Sequence, residues 1–337
     1  MFVGGRNAVQ LFYMISGFYI SYILVERKTY PDVTSFYINR YLRLYPIYFA
    51  VAFLTLITFG ISSALSKDID LFLAYDAAPL SANLLLVFSN ATLFFQDWVM
   101  FLGVENNRLV FTTDFNKSEI VLHRALLVPQ AWTLGVELTF YLVAPFVLSR
   151  QWLLMSLLVL SIAARIYLVY IGLGRNDPWT YRFFPTELAL FLLGALAHQV
   201  LLPLYKARFP TERLDTYADL STSALIIITL AFSLLPTEES FNTIALFLIF
   251  LILMPFAFIF QSKREWDQRV GELSYPIYTC HVFVLYVVRF SLKQLGFTDK
   301  VSISLCVVVA SICLSLILNR YIGRPIESLR DRFRKYA

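Results

Sequence analysis

A glutamate lies inside an apolar segment of this chain, where a charged side chain is energetically costly. Glu137 falls within the apolar run 131–148, and an ionisable group at the centre of a membrane helix costs about 2.5–3.5 kcal/mol. Thr133 and Tyr141 stand four residues to either side of Glu137, so the three share one helical face. We expect this face to point at other helices or at a wet cavity. It serves either a functional site or a structural hydrogen bond to a neighbouring helix.

A histidine occupies a comparable position in a later apolar run. His281 lies in the middle of the run 273–291, and Ser274 and Tyr278 share its helical face. A histidine side chain titrates near neutral pH, so inside a membrane it is a candidate for accepting or donating a proton. A hydrogen bond that serves only packing is the alternative. Glu137 and His281 are the candidate catalytic residues, and His123 and His198 have weaker claims.

Two arginines stand close together before the second apolar run. Arg40 and Arg43 are three residues apart, so a helix would direct both guanidinium groups to one side. The planar fork of arginine matches the geometry of a phosphate group. The pair could therefore bind one phosphorylated ligand at the cytoplasmic edge. Alternatively, both arginines only follow the preference of cytoplasmic loops for positive charge.

Two further charged residues are predicted at the outer side of the membrane. Arg165 lies roughly 10 Å below the outer end of its helix, and Glu187 about 5 Å below the same surface, at 1.5 Å per residue. Glu137 falls at a similar depth, roughly 9 Å from Ala131. Three ionisable groups at comparable depth indicate a polar chamber open to the outside. An isolated ion pair between Arg165 and Glu187 is the competing interpretation.

Small and polar residues line one face of the first apolar run. Gln10, Gly17 and Ser21 fall on this face of the run 8–24, with Tyr13 beside them. Short side chains at such positions allow two membrane helices to approach closely. Packing alone would explain this pattern.

The composition places these residues in an integral membrane protein. Of the 337 residues, 58% are hydrophobic and 15% charged, whereas about a quarter of a soluble domain is charged. The net charge of +5 comes from basic residues in loops, which set membrane orientation and do not indicate nucleic-acid binding. No zinc-ligand spacing and no glycine-rich phosphate loop occurs, so we expect no bound metal and no bound cofactor.

We predict an all-α, polytopic helix bundle with about nine crossings and one segment that does not cross. The run 82–102 is the exception, because Asn83, Asn90, Gln96 and Asp97 interrupt it. It should dip in from the outer face or lie on it. The predicted crossings lie near 8–24, 44–62, 131–149, 152–172, 184–203, 219–235, 242–260, 273–291 and 300–321.

Basic residues in short connections predict the orientation. The C-terminal tail carries Arg324, Arg330 and Arg332, so it should be cytoplasmic. The connection 26–43 is also basic, and the more acidic connection 63–80 should lie outside. The stretch 103–130 is predicted to be an extracytoplasmic cap segment that is too short for a domain of its own.

Five segments together resemble membrane-bound acyltransferase family 3, the bacterial O-acetyltransferases that modify glycans. Each is a weak pattern alone, but all five occur in order over most of the chain. They are Val9–Phe18, Arg40–Tyr48, Trp132–Tyr141, Glu187–Gly194, and Ser274–Tyr278 with His281. The resemblance implies a single acyltransferase-3-like transmembrane domain over residues 1–337 in the bacterial inner membrane.

The resemblance also implies an activity and its substrates. An acyl group, in particular acetyl, would pass from cytoplasmic acyl-CoA, the donor, to a hydroxyl of a cell-surface or secreted glycan, such as lipopolysaccharide or a lipid-linked saccharide. Arg40 and Arg43 would bind the CoA phosphates, and Glu137 would belong to the core site. Arg165 and Glu187 would line the acceptor side. Membrane lipid is the other expected partner, and nucleic acid is not one.

One departure from the family pattern bears on this expectation. Family members begin with a further helix that carries an arginine and a histidine regarded as catalytic, and this chain begins after that point. We therefore expect an N-terminally truncated chain whose ends lie on opposite sides of the membrane. A multipass transporter, which also buries Glu, Arg and His along ion pathways, or a catalytically inactive homologue is the alternative.

Overall fold

The structure is a computed structural model that describes residues 3–65, 70–234, 239–296 and 299–335. Helices dominate it, and the only strands among the described residues form one antiparallel hairpin, β1 (Leu102–Glu105) and β2 (Arg108–Phe111). The helices are α1 (Gly4–Ser21), α2 (Val33–Leu65), α3 (Asp70–Ala77), α4 (Leu80–Thr92), α5 (Trp132–Val147), α6 (Gln151–Tyr170), α7 (Phe184–Leu196), α8 (Leu202–Arg208), α9 (Thr211–Ala231), α10 (Glu239–Ser262), α11 (Glu265–Gln294), α12 (Lys300–Leu318) and α13 (Arg324–Asp331).

Eight helical segments of the described residues are long and apolar enough to cross a membrane. Each coincides with one of the predicted crossings. The all-α polytopic fold class is therefore confirmed, and the chain is a multipass membrane protein. The remaining predicted crossing, 131–149, is occupied by α5, which has only 16 residues. Because α5 is buried along most of its length, protein surrounds it, and its length need not match the thickness of the lipid.

The predicted interruption at 82–102 is present as a short helix followed by irregular backbone. α4 has 13 residues, about 20 Å at 1.5 Å per residue, which is short of the roughly 30 Å of hydrocarbon. Leu93 and Phe95 then adopt positive φ angles of 62° and 64°, a region that bulky residues rarely occupy. The location of the segment 82–102 at the outer face stays a prediction.

The described chain divides into two compact units. Unit 1 comprises Met1–Thr29 and Thr139–Gln268. Its centre is the contact between α1 and α7, and a second apolar cluster forms where α9 and α10 meet the end of α7, around Leu214 and Met254. Unit 2 comprises Tyr30–Leu138 and Arg269–Ala337. It contains most of the predicted site residues.

Within the described ranges, three helices end in a single π-helical turn. These turns follow α1 at Tyr22–Glu26, α7 at Ala197–Leu201 and α12 at Asn319–Gly323. A π turn holds one residue more than an α turn and is often found at functional sites. The last of them leads directly into α13, which contacts α2 within unit 2.

Candidate functional site

His281 is held in one orientation by its own helix. Its Nδ1 lies 2.7 Å from the carbonyl oxygen of Tyr278. Since a carbonyl oxygen can only accept a hydrogen bond, Nδ1 carries the proton and donates it. In a neutral imidazole with this tautomer, the other ring nitrogen, Nε2, presents a lone pair. His281 is thus arranged as a proton acceptor, with a half-buried ring.

The helix of His281 is tied to the residues around the start of α5. Gln130 Nε2 donates to the carbonyl oxygens of Tyr278, at 3.2 Å, and Thr279, at 2.6 Å. The hydroxyls of Thr133 and Tyr278 lie 2.7 Å apart, and the Tyr278 hydroxyl also donates to the Gln130 carbonyl at 2.9 Å. The predicted polar face of α5 therefore does bind a neighbouring helix, and that helix is α11.

Glu137 is buried, with 4% of its surface exposed. Tyr275 of α11 lies within Coulombic range of both Glu137 and Arg43. Its hydroxyl donates to the carbonyl oxygen of Leu44, next to Arg43 in α2. Tyr275 therefore connects the glutamate of α5 electrostatically with the basic end of α2.

Arg40 is buried at that end, with 4% of its surface exposed. It donates to the Tyr30 hydroxyl at 2.8 Å and to Asn39 Oδ1 at 3.1 Å. Arg43 is exposed, and no carboxylate of the described residues pairs with it. Arg330 of α13 reaches the same Asn39 oxygen at 3.2 Å. The predicted pair of arginines thus belongs to a larger group that includes the C-terminal helix.

A buried carboxyl group also adjoins α5 in unit 2. Asp97 is 2% exposed, and a Cβ atom at Gly135 would lie 3.1 Å from its Oδ1. Asp97 lies outside the eight spanning helices. Burial raises its pKa to about 7, although the backbone N–H groups of Asp97 and Trp98 oppose the shift. This carboxyl therefore changes charge near neutral pH.

Neighbouring polar residues of the 82–102 segment form a hydrogen-bonded network. Gln96 Nε2 donates to the Tyr48 hydroxyl at 3.0 Å, and that hydroxyl donates to the Asn90 carbonyl at 2.7 Å. Asn90 Oδ1 accepts from the Leu127 N–H at 3.0 Å. The network fixes the interrupted segment to α2 and to the stretch 103–130.

In unit 1, Glu187 is fully buried at the start of α7. Arg165 of α6 donates to its Oε1 at 2.6 Å, and Gln10 of α1 donates to both carboxylate oxygens at 3.2 and 3.0 Å. The ion pair considered from the sequence is therefore present. It is not isolated, because Gln10 Nε2 also donates to the Thr180 carbonyl at 3.1 Å.

Arg6 extends this polar network towards the surface of unit 1. Its guanidinium donates to the Thr180 hydroxyl at 2.8 Å and lies over the Tyr181 ring, 5.4 Å from the centroid. The guanidinium of Arg182 also lies over the Tyr181 ring, 5.0 Å from the centroid. No sequence pattern distinguishes Arg6, because a single charged residue near a helix end is ordinary.

His198 takes part in a different cluster of unit 1. Its Nδ1 lies 3.0 Å from the Ser21 hydroxyl, and its Nε2 lies 2.8 Å from Glu26 Oε2. The order serine, histidine, carboxylate resembles a nucleophile relay. However, Ser21 is fully buried and also accepts a hydrogen bond from Gln199 at 3.0 Å. The arrangement therefore joins the π turns that follow α1 and α7.

The structure thus groups the predicted residues by unit. Glu137, His281, Arg40 and Arg43 lie in unit 2, and Arg165 and Glu187 form their ion pair in unit 1. The shared outer chamber stays a prediction. His123 lies in the stretch 103–130, with its ring edge against Phe115 at 5.1 Å.

Sequence reasoning missed several residues that the structure adds to these groups. They are Arg6, Asn39, Gln130, Tyr275 and Arg330. Of these, Arg330 was assigned to membrane orientation, and Tyr275 lay within the segment Ser274–Tyr278 without a role of its own. Among the described residues, no group of three or more His, Cys, Asp or Glu side chains could hold a metal ion.

Residues 1–320 match the sequence pattern of a family described as an acyltransferase domain, acyltransferase family 3. The chain is also 22% identical over 214 residues to a protein of Aquifex aeolicus (strain VF5) described only as uncharacterized. That alignment covers 60% of this chain and 89% of the relative. No solved structure matches the chain.

Proposed function

This chain belongs to acyltransferase family 3, and from that premise we propose that it is an integral membrane O-acyltransferase. The donor is acyl-CoA on the cytoplasmic side, and the group transferred is acetyl. The acceptor is a hydroxyl of a cell-surface or secreted glycan or of its lipid-linked precursor. The membrane is the bacterial inner membrane, with the C-terminus in the cytoplasm.

The orientation of His281 is the observation that carries this proposal. With Nδ1 donating to the Tyr278 carbonyl at 2.7 Å, Nε2 is free to take the proton of the acceptor hydroxyl. The hydroxyl oxygen then attacks the thioester carbonyl carbon. As the C–S bond breaks, the leaving CoA sulfur takes the proton back from Nε2. The imidazole therefore ends the reaction as it began.

Glu137 has an electrostatic role in the proposed reaction. Its burial in α5 leaves a carboxylate with little solvation, and such a group stabilises positive charge nearby more strongly than it would in water. We propose that an imidazolium formed at His281 during the transfer is the charge that Glu137 stabilises. Glu137 thus acts as the orienting and polarising residue.

Arg40 and Arg43 bind the donor in this proposal. Arg43 is exposed, and it lies within Coulombic range of Tyr275, as Glu137 does. A CoA phosphate bound by the arginines would therefore lie near Tyr275, which Glu137 also influences electrostatically. Arg165 and Glu187 line the acceptor side, and the stretch 103–130 is the extracytoplasmic cap.

The test is acetyl transfer by the purified protein in a lipid bilayer. Labelled acetyl-CoA is supplied with a glycan acceptor, and labelled glycan is counted. His281→Gln and Glu137→Gln should each lower the rate by about 100-fold or more, since general acid–base catalysis contributes 10²–10⁴-fold. Glu212→Gln, at an exposed position of α9, is the matched control and should transfer at the wild-type rate.

Three results would contradict the proposal in whole or in part. A wild-type protein that transfers no label to any glycan tested would remove the activity. Wild-type rates in both the His281 and Glu137 variants would leave the activity but remove the assigned site. Uptake of the acceptor into vesicles without acetylation would identify a transporter instead.

A further inference from the structure

We propose that Arg330, in the C-terminal helix α13, is a third donor-binding arginine that binds the phosphates of the CoA nucleotide together with Arg40 and Arg43. This inference rests on the proposed function. It adds a residue from the opposite end of the chain to the donor site. It also gives α13 a role in the reaction beyond membrane orientation.

The first observation is that too many donors converge on one neutral oxygen. Asn39 Oδ1 accepts from the Tyr30 hydroxyl at 3.0 Å, from Arg40 at 3.1 Å and from Arg330 at 3.2 Å. A carboxamide oxygen has two lone pairs and no net charge. Two guanidinium groups and a phenol therefore meet at a point where an anion would satisfy them better.

The second observation is the burial of Arg330. Only 9% of its surface is exposed, and its Nε has no hydrogen-bond partner among the described residues. Arginine residues that only mark the cytoplasmic side of a membrane stand in water. A buried donor without a partner costs free energy, so a ligand that accepts from it would recover that cost.

The third observation is the positive charge around Arg330. Arg40, Arg43 and Arg334 all lie within Coulombic range of Arg330. Glu327 accepts from both Arg330 and Arg334, and Asp331 accepts from Arg334 alone. Arg330 and Arg334 therefore share one carboxylate, and two further guanidinium groups lie within Coulombic range. A cluster of guanidinium groups matches a ligand with several phosphate charges better than one with a single charge.

The fold places Arg330 here through contacts that are independent of its own side chain. Asn39 Nδ2 donates to the main-chain carbonyl of Arg330 at 3.0 Å, which joins α13 to α2. Asn39 thus holds the backbone of Arg330 and receives its guanidinium at the same time. The position of Arg330 next to Arg40 is therefore built into the packing of unit 2.

A phosphate group could come from CoA or from an anionic lipid headgroup, and binding measurements separate the two. CoA is titrated against the purified full chain in nanodiscs of phosphatidylcholine, where no anionic lipid competes. Arg330→Gln should raise the dissociation constant about 10-fold or more, which corresponds to one lost charge-assisted hydrogen bond. Arg332→Gln removes the same charge from an exposed position two residues away and should change the constant less than about 2-fold on this reasoning.

A second variant keeps the test decisive if Arg330→Gln does not fold. Asn39→Asp places a carboxylate where we expect the ligand anion, next to both guanidinium groups. The aspartate loses the Nδ2 donation to the Arg330 carbonyl but gains charge-assisted contacts with both guanidinium groups, so it should fold. It should bind CoA about 10-fold more weakly, because the carboxylate neutralises the site. An Asn39→Asp protein that binds CoA as tightly as wild type overturns the inference.

The remaining outcomes separate this inference from the proposed function. If Arg40→Gln weakens CoA binding and Arg330→Gln does not, the inference is wrong and the proposed donor site stands. If Arg330→Gln weakens only the binding of phosphatidylglycerol vesicles, the site is a lipid site and the inference is wrong. If the wild-type protein does not bind CoA at all, the proposed donor and this inference fail together.

Discussion

Gly17 of α1 lies directly against the main-chain carbonyl of Phe191 in α7, so that a Cβ atom at Gly17 would lie only 1.8 Å from that oxygen. Gly194 of α7 has the same relationship to Met14, with a Cβ distance of 1.9 Å to the carbonyl oxygen. Two membrane helices approach this closely only through small residues. This contact positions Gln10 against Glu187, and it therefore supports the polar network of unit 1.

Replacement of Gly17 by alanine should destabilise the protein strongly. The added methyl group meets rigid backbone, so α1 and α7 must move apart, at a cost of about 1–3 kcal/mol or more. Gly60→Ala in α2 is the control, since nothing lies within 4 Å of its Cβ position. Thermal unfolding of the purified proteins measures both. Equal midpoints for Gly17→Ala and wild type would contradict the contact.

The ion pair between Arg165 and Glu187 predicts non-additive effects on stability. Arg165→Met leaves the carboxylate of Glu187 buried without its cation and should cost about 3–5 kcal/mol. In the double variant with Glu187→Gln no charge remains buried, so much of this loss should return. Chemical unfolding of the two single variants and the double variant forms the complete cycle. Strictly additive losses would show that the two side chains do not interact.

The buried carboxyl of Asp97 predicts a pH dependence of stability. Its pKa is raised to about 7 by burial, whereas that of an unfolded aspartate is near 3.9. Because the folded state then binds the proton more tightly, the free energy of unfolding falls as the pH rises from about 4 to about 7. Between pH 5 and pH 7 the loss should be about 2 kcal/mol.

The Asp97→Asn variant tests this pH dependence directly. The asparagine cannot ionise, so the decline between pH 5 and pH 7 should be about 2 kcal/mol smaller than in the wild type. Asp76→Asn, at an exposed position, should leave the wild-type slope unchanged. Denaturant unfolding at several pH values gives the slopes. The same slope in Asp97→Asn and wild type would rule out Asp97 as its cause.

Gln130 is expected to position His281 for the proposed reaction. Its Nε2 donates to the Tyr278 carbonyl, which is the oxygen that also accepts from His281 Nδ1. Gln130→Met should lower kcat about 10-fold and leave KM for acetyl-CoA unchanged, as for residues that orient a reactive imidazole through its partner. Gln130→Glu keeps an acceptor but loses the amide donor, so it should show the same defect. A changed KM with a normal kcat would indicate a role in binding instead.

The fold was predictable from the sequence because lipid imposes strong constraints on it. Long apolar runs must form helices in a membrane, and each of the eight spanning helices lies on a predicted run. The interruption at 82–102 was also predictable, because amide side chains such as those of Asn90 and Gln96 would lack hydrogen-bond partners if they faced lipid. Their partners were not predictable, since Tyr48 lies far away in sequence, and only the tertiary fold brings it to them.

For the candidate site, the sequence predicted single polar helix faces but not which faces lie against each other. The four-residue spacing that links Thr133 to Glu137 indicated a polar face, and that face does bind α11. Spacing does not say which helix lies opposite, so Gln130 and Tyr275 were missed. Arg330 was hidden for a different reason. The preference of cytoplasmic segments for positive charge already explained this arginine. Its specific contact with Asn39 was therefore not predicted.

The π turn at Asn319–Gly323 gives the C-terminal helix a register that its own residues do not determine. An α-helix turns by about 100° per residue, so one residue removed from this turn would rotate α13 by about that angle. Arg330 would then face away from Asn39, while every arginine of the tail would still be present. Homologous tails of equal charge but different length in this turn would therefore present a different face to α2. For this segment, the length of the chain is as informative as the identity of its residues.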